Sequence, residues 1–508
     1  MQGKASLRAE RDSLQLHERF RPSKGRFSFM AKNEKKDLLS YIREGRTMTQ
    51  QEKLRLIVSL SIPSILAQIS ATVMFFIDAS MVGHLGEQAI AAIGLVESTT
   101  WLLGGLASAA SMGFSVQVAH FIGANDFEAA RRVLRQSLAC CLIWSLLILL
   151  ICVAIHSRLP LWLGGNDEIV SDASLYFLVF GLAGPFFQLE GLCGSMLKCA
   201  GNMKVPSALN IVMCVMDVAF NYFFIYILQM GVLGAALGTF SAIFITALLM
   251  AWFLLVRSSM LGLFRRGRRN GNGEAAALSG EHWALYKPQA DTVKTAFKIG
   301  APMGLQHVLM GGAQVVSTTI VAPLGTIAIA ANSLAITVES LCYMPGFGIA
   351  EAATTLVGQG IGAGQRALTQ SFARLSVGMG IVVMTLMGVL MYVLAPELMM
   401  LMTPVEEIIS QGAAALRIEA LAEPMFAAAI VCNGVFVGAG DTLKPAMMSL
   451  ASMWGVRLTL AALLAPRYGL LGVWTAMAIE LTFRGLMFLT RLFFGNWPQY
   501  RRSAHQEK

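Results

Sequence analysis

Residues 63–86 read PSILAQISATVMFFIDASMVGHLG, and residues 302–325 read PMGLQHVLMGGAQVVSTTIVAPLG. Each is an apolar stretch of the length that crosses a bilayer, about 20 residues. They stand 239 residues apart, with Pro63 meeting Pro302 and Leu85-Gly86 meeting Leu324-Gly325. The same offset pairs Gly123-Ala124 with Gly362-Ala363, Pro185 with Pro424, Cys193 with Cys432, Gly201 with Gly440 and Pro206 with Pro445. Further on, Gly231-Val232-Leu233-Gly234 meets Gly469-Leu470-Leu471-Gly472 at an offset one residue shorter. Chance similarity does not hold register in this way, so the chain is a tandem duplication.

Composition fixes the class of each half. The 508 residues are 56% hydrophobic and 14% charged, with mean hydropathy +0.62. A soluble domain carries about 25% charged residues and has nowhere to hide so much apolar surface. Apolar stretches fall near 55–83, 88–121, 133–157, 172–197, 205–228 and 232–256, and again near 293–322, 327–360, 370–395, 410–438, 445–465 and 470–494. The expectation is an all-α polytopic membrane protein of twelve transmembrane helices in two pseudo-symmetric six-helix bundles. An N-terminal tail (1–52), an N-terminal lobe (53–256), a basic loop (257–292), a C-terminal lobe (293–494) and a C-terminal tail (495–508) follow from this division. Six is even, so both lobes begin on one side and their relating axis runs along the membrane normal.

The net charge is +9, and its placement orients the chain. Arg131, Arg132, Arg135, Lys198, Lys204, the 257–291 loop, Arg366, Arg374, Lys444, Arg501 and Arg502 fall on one side. Asp167, Glu168, Asp172, Glu397, Glu406 and Glu407 fall on the other. The excess of Lys and Arg marks the cytoplasmic face, so both termini are expected inside a plasma (inner) membrane. The basic N-terminal tail has no signal-peptide pattern, and Met30 is a second candidate start. The basic loop is expected to be an inside-positive anchor, with no nucleic-acid partner.

Ionisable groups inside spans are costly and mark candidate sites. Asp78 is the one acid of the first span, with no Lys or Arg at helical spacing. Burial disfavours its charge, so it is suited to take up a proton or a cation; an aspartate wetted by headgroups is the plainer alternative. Asp217 and Asn221, four apart on the fifth span, share a helix face. They form either an ion-coupling pair, with Na⁺ possible at Asp78, Asp217 and Asn221, or a hydrogen-bonded pair that joins helices. Thr239 on the sixth span is a further member of the cluster. Glu97, Glu190, Glu339 and Glu351 are candidates for lining a substrate cleft. So is His307, for which a packed, hydrogen-bonded histidine is the alternative. Glu419 and Glu423 share a face with Arg417 nearby, and Glu480 with Arg484 reads as a structural pair.

Several classes are excluded. No G-x-x-x-x-G-K-[ST] loop is present, since 438–444 (GAGDTLK) has the wrong spacing. The eight cysteines lie in apolar stretches without disulfide or zinc spacing, and no cofactor is expected. An integral-membrane enzyme would need a His–acid or metal constellation that seven scattered histidines do not supply.

The stretch from Pro63 to Gly86, its partner 321–332 (VAPLGTIAIAAN) and 356–364 (LVGQGIGAG) resemble the multidrug and toxic compound extrusion (MATE) family, over roughly residues 50–490. The resemblance implies an efflux antiporter, expected as a monomer, that exports small organic, often cationic, compounds in exchange for H⁺ or Na⁺. It implies that the first-helix acid, Asp78, is central to coupling. The fifth-helix amide and acid of the family appear here in exchanged order, as Asp217 and Asn221. Sodium-coupled NorM-like members carry acids in the seventh and tenth helices, at positions that align with Met310 and Phe426. The chain is thus similar to the DinF-like branch, and its C-terminal half is expected to lack a coupling site. A flippase for lipid-linked sugars, of the same superfamily, is the alternative. It would want cationic residues in the cleft for pyrophosphate, and Arg417, Arg457 and Arg484 are the candidates.

Overall fold

The structure is a computed structural model and describes residues 38–263 and 286–497. The two tails, apart from 38–52 and 495–497, and most of the basic loop lie outside the described residues, Arg265 and Arg501 among them. All spans fall in the unit Tyr41–Lys508; of the unit Met1–Ser40, the described residues 38–40 are helical.

The N-terminal lobe consists of α1 (Gln50–Gly83), α2 (Glu87–Gly123), α3 (Phe127–Ile155), α4 (Asp167–Cys199), α5 (Lys204–Tyr222) and α6 (Gly231–Trp252). A π turn extends α5 through Ile227, and another extends α6 through Arg257. Thr49 opens α1 with a capping box: Glu52 N donates to Thr49 Oγ1 at 3.3 Å, and Thr49 N donates to Glu52 Oε2 at 3.0 Å. The C-terminal lobe repeats the order with α7 (Ala290–Val321), α8 (Thr326–Gly362) and α9 (Arg366–Val393). Next comes α10, which is bent by 59° between its segments Glu406–Ala420 and Glu423–Gly438. Pro424 sits in the first turn of the second segment, where a missing N–H costs nothing.

The last helical run, Leu443–Phe494, is 52 residues long. At about 1.5 Å per residue it would measure more than twice the ~30 Å hydrocarbon thickness. Gly469, at φ 57 and ψ −139, breaks it in two, a conformation open to glycine but not to residues with a Cβ. The pieces 443–468 and 470–494 are α11 and α12, which completes twelve spans. Gly231, the repeat mate of Gly469 at the shorter offset, has φ 58. The duplication is therefore written in the backbone as well as in the sequence: α2 and α8 begin and end 239 residues apart to the residue.

Each lobe has its own core. Phe114, Val118, Leu134, Met196, Leu197 and Met250 centre the first. Ala335, Met391, Leu416, Trp474 and Met477 centre the second. The eight cysteines are free, and all but Cys140 are buried, as small packing residues.

The lobes meet along α1, α2, α7 and α8, and glycines map where. A Cβ on Gly123 would stand 2.0 Å from Gln359 O, and one on Gly362 would stand 1.9 Å from His120 O. One on Gly113 would stand 2.4 Å from Ala296 O, one on Gly300 2.7 Å from Ala109 O, and one on Gly348 2.7 Å from Ile65 N. The first two contacts obey the repeat, since 123 and 362, and 120 and 359, are mates. They lie toward the basic face, where Arg131, Arg132 and Lys204 stand. Toward the acidic face, an added Cβ on Gly83, Gly94, Gly311 or Gly325 would meet nothing within 4 Å. The lobes are sealed at the basic face and part toward the acidic one.

Candidate functional site: a bridged carboxylate pair

Asp78 projects from the last turns of α1, and Asp217 and Asn221 from one face of α5. The Asn221 amide joins the two acids. Its Nδ2 donates to Asp78 Oδ1 at 3.0 Å and to Asp217 Oδ2 at 3.2 Å. Asp217 and Asn221 are 1% and 2% exposed, while Asp78 is half-buried. The sequence makes room for this. A Cβ at Gly238 would fall 2.0 Å from Asn221 Oδ1, so α6 approaches α5 closely enough to close the site only because residue 238 is glycine. Thr239 of α6 lies next in the helix to Gly238 and is a neighbour of Asp217. The four residues expected to form one site are thus brought together.

Two acids sharing an apolar enclosure repel when both are charged. Asp217 Oδ1 and Asn221 Oδ1 have no hydrogen-bond partner, which leaves acceptor capacity inside the site. Such an arrangement has the chemistry to accept one positive charge, as a proton on a carboxylate or as a small cation among the oxygens. Tyr176 of α4, which the sequence reading passed over, lies within electrostatic reach of Asp78, Asp217 and Glu97.

The cleft candidates divide. Glu97 is exposed on α2, and Trp101 Nε1 donates to its Oε1 at 3.3 Å; Phe75 packs on Trp101 with ring centroids 5.3 Å apart. His307 on α7 is exposed and abuts Gly105 of α2, at the inner end of the parted region. Glu351 instead lies in the sealed seam, where Lys198 Nζ meets its Oε1 at 2.7 Å. Glu190 lies beside that pair in the N-terminal lobe, within reach of both charges. Glu339 is 5% exposed and belongs to the interior of the C-terminal lobe rather than to the cleft.

That interior gathers several charges. No acid stands at Met310 or Phe426, yet the C-terminal half is not without buried carboxylates. Glu339, Glu419, Glu423 and Glu480 are all 5% exposed or less, with Arg457 among them. Both side-chain oxygens of Glu419 and of Glu423 lack hydrogen-bond partners. Arg417 pairs with neither: its Nε donates to Tyr392 O at 3.3 Å, and its guanidinium covers the Tyr392 ring. Glu480 does pair with Arg484, at 2.6 Å, and accepts from Ser452 Oγ at 2.5 Å. Arg457 donates to Met477 Sδ. Arg457 and Arg484 are therefore engaged within the lobe and do not form a cationic cradle in the cleft.

The comparisons with known proteins agree in both halves. The MatE family model matches residues 63–223 and 302–463, two segments that begin at the duplicated prolines. A probable multidrug resistance protein NorM of Thermotoga maritima is 24% identical over 449 residues, spanning 87% of this chain and 93% of the relative. A NorM of the same description from Neisseria meningitidis serogroup B is 23% identical, over 85% of this chain and 92% of its own. Among solved structures, a MATE protein crystallised with MaL6 superposes with a TM-score of 0.81 at 21% identity, over 90% of this chain and 98% of that one. With the family model matching both duplicated halves from their prolines onward, and the relatives and solved structure spanning 85% or more of the chain, the chain belongs to the MatE family of efflux transporters.

Proposed function

We propose that this chain is a secondary antiporter that exports organic, often cationic, compounds in exchange for H⁺ by alternating access. The observation that carries the reading is the pair Asp78 and Asp217, bridged by one amide inside the N-terminal lobe. Deprotonated, the pair carries negative charge and favours the state in which cationic substrate is held. Protonation from outside neutralises it, α1 repacks, and substrate leaves outward. The multidrug names of the relatives support small organic substrates, and Phe75, Trp101, Glu97 and His307 offer aromatic faces and charge on the parted side.

The choice of H⁺ over Na⁺ rests on the same amide. Asn221 Nδ2 occupies the gap between the carboxylates, where a sodium ion would need oxygen ligands. A proton needs no such space. The distribution of Lys and Arg supports a multi-pass plasma-membrane protein with its basic face and both termini cytoplasmic, so that the parted face looks outward. It is read as working as a monomer.

The test is efflux from proteoliposomes with an imposed pH gradient or an imposed Na⁺ gradient, each without the other. Transport driven by the pH gradient alone is expected. Transport driven by Na⁺ alone would overturn the proton assignment, and transport driven by neither would overturn the antiport.

A further inference from the structure

At the sealed face, one helix of the C-terminal lobe clasps the end of a helix of the N-terminal lobe. Glu351, Thr355 and Gln359 follow one another at four-residue spacing on α8, and so share a face. Thr355 Oγ1 donates to Lys198 O at 3.0 Å, and Gln359 Nε2 donates to Cys199 O at 2.8 Å. These satisfy carbonyls that the end of α4 leaves without helical partners. Glu351 takes the side chain of the same lysine: Lys198 Nζ donates to its Oε1 at 2.7 Å. From α1, Ser64 Oγ donates to Glu351 Oε2 at 2.7 Å and Gln68 Nε2 to Oε1 at 3.4 Å.

The repeat makes this arrangement informative, because the seam can be compared with itself. His120, the mate of Gln359, makes the equivalent contact to Gly438 O, the mate of Cys199, at 2.9 Å. The mates of Lys198, Glu351 and Ser64, however, are Val437, Met112 and Met303, which pack together in an apolar cluster. The same place in the seam is ionic on one side of the pseudo-twofold axis and apolar on the other. Adhesion between lobes does not require charge there. A partly buried ion pair adds little net stability, but parting it leaves two charges that need new partners.

One such partner is in place. Glu190 lies two helical turns before Lys198 on α4, within electrostatic reach of both Lys198 and Glu351. With its amide nitrogen turned toward the carboxylate, Asn210 donates to Glu190 Oε1 at 3.1 Å and holds that acid in position. Glu190 belongs to the same lobe as Lys198 and stays with it when the lobes separate.

We propose that Lys198 exchanges carboxylates during the transport cycle, holding Glu351 of the opposite lobe while the basic face is sealed and Glu190 of its own lobe while that face is open. Lys198, Glu351 and Glu190 are then positioning residues that set the balance between the two states. The inference rests on the alternating-access reading, and its test does not depend on substrate or coupling ion.

The reporter is Val116→Cys, a near-isosteric change at a fully buried residue of α2 in the apolar half of the seam. The protein is placed in lipid nanodiscs, where both faces are accessible, and labelled with a charged maleimide; labelling at residue 116 is read by peptide mass spectrometry. Glu351→Gln is expected to raise the labelling rate about tenfold, the effect of a shift of ~1.4 kcal/mol in the balance, whereas Lys198→Met, which removes the bond of both states, should change it less than Glu351→Gln does. Glu190→Gln, which removes the partner of the open state, is expected to lower it. The charge-reversed pair K198E/E351K re-forms the bond across the seam but is repelled by Glu190, so its rate should fall to or below that of the parent. A merely structural bond would not give opposite signs for Glu351→Gln and Glu190→Gln. Unchanged labelling in Glu351→Gln, a rise in Glu190→Gln, or a persistently high rate in the reversed pair overturns the exchange. If labelling shifts as stated while no efflux occurs in either gradient, the exchange stands and the transport reading falls.

Discussion

Gly123 and Gly362 stand 239 residues apart in the chain and face one another across the seam, each backed directly onto the other lobe's helix. A methyl group at Gly362 would meet His120 O at 1.9 Å, and one at Gly123 would meet Gln359 O at 2.0 Å. Backbone cannot yield as a side-chain tip can. Gly362→Ala is therefore expected to hold the basic face ajar and cut efflux at least about tenfold, given that overpacking costs roughly 1–3 kcal/mol. Gly83→Ala, with open space around it, is the control and should transport normally. Efflux in vesicles checks both; normal transport by Gly362→Ala would show that this seam need not close.

Asp217→Asn removes one of two acids from a closed site and leaves its shape. The protein should remain folded, with a melting temperature equal to or above the parent's, because like-charge repulsion is relieved. Efflux driven by a pH gradient should be lost or strongly reduced. Undiminished coupled efflux in a stable variant would reduce Asp217 and Asn221 to a bond that only joins helices.

Asp78→Asn places a neutral group where protonation would otherwise be needed. Substrate should bind weakly, as it does to the protonated state, and the imposed pH gradient should no longer drive export. Binding can be followed by the fluorescence polarisation of a cationic dye. Tight, gradient-driven handling of the dye by this variant would move the coupling site elsewhere.

The acids of the C-terminal lobe should separate by partner. Glu480→Gln loses its ion pair with Arg484 and leaves a buried guanidinium; breaking such a pair costs about 3–5 kcal/mol, enough to lower the melting temperature by several degrees. Glu423→Gln removes an acid whose oxygens have no hydrogen-bond partner, so its melting temperature should hold or rise. A thermal-shift series on the two variants decides; equal losses would mean that Glu423 is held as firmly as Glu480.

The duplication, the helical class and the cluster at Asp78, Asp217 and Asn221 were legible in the sequence because each leaves a local trace. A constant offset reveals the repeat, hydropathy reveals the spans, and a charge in an apolar run or a spacing of four reveals the site. What was not legible lies between helices. Nothing near Glu351 in the chain announces Lys198, 153 residues earlier, and Glu339 reads the same whether it faces a cleft or a lobe interior. The acids of the C-terminal lobe were legible one by one, as a cleft candidate, a shared helix face and a structural pair, but not their gathering in one interior, because Glu339, Glu419, Glu423 and Glu480 come from different helices. The break at Gly469 was legible both as a repeat mate and as the gap between the apolar stretches 445–465 and 470–494; that helix runs up to it on both sides was not.

One helix touches both ends of the machine. On α1, Gln68 and Ser64 hold Glu351 in the seam, while Asp78 lies ten residues beyond Gln68, about 15 Å along the axis. A stiff rod cannot turn at one end and stay still at the other. Whatever free energy a bound proton transmits along α1 to the seam, the seam must transmit back to the proton, since coupling between two sites is reciprocal. Loosening the basic face should therefore retune how readily Asp78 holds its proton, even though none of the residues altered lies within a hydrogen bond of it.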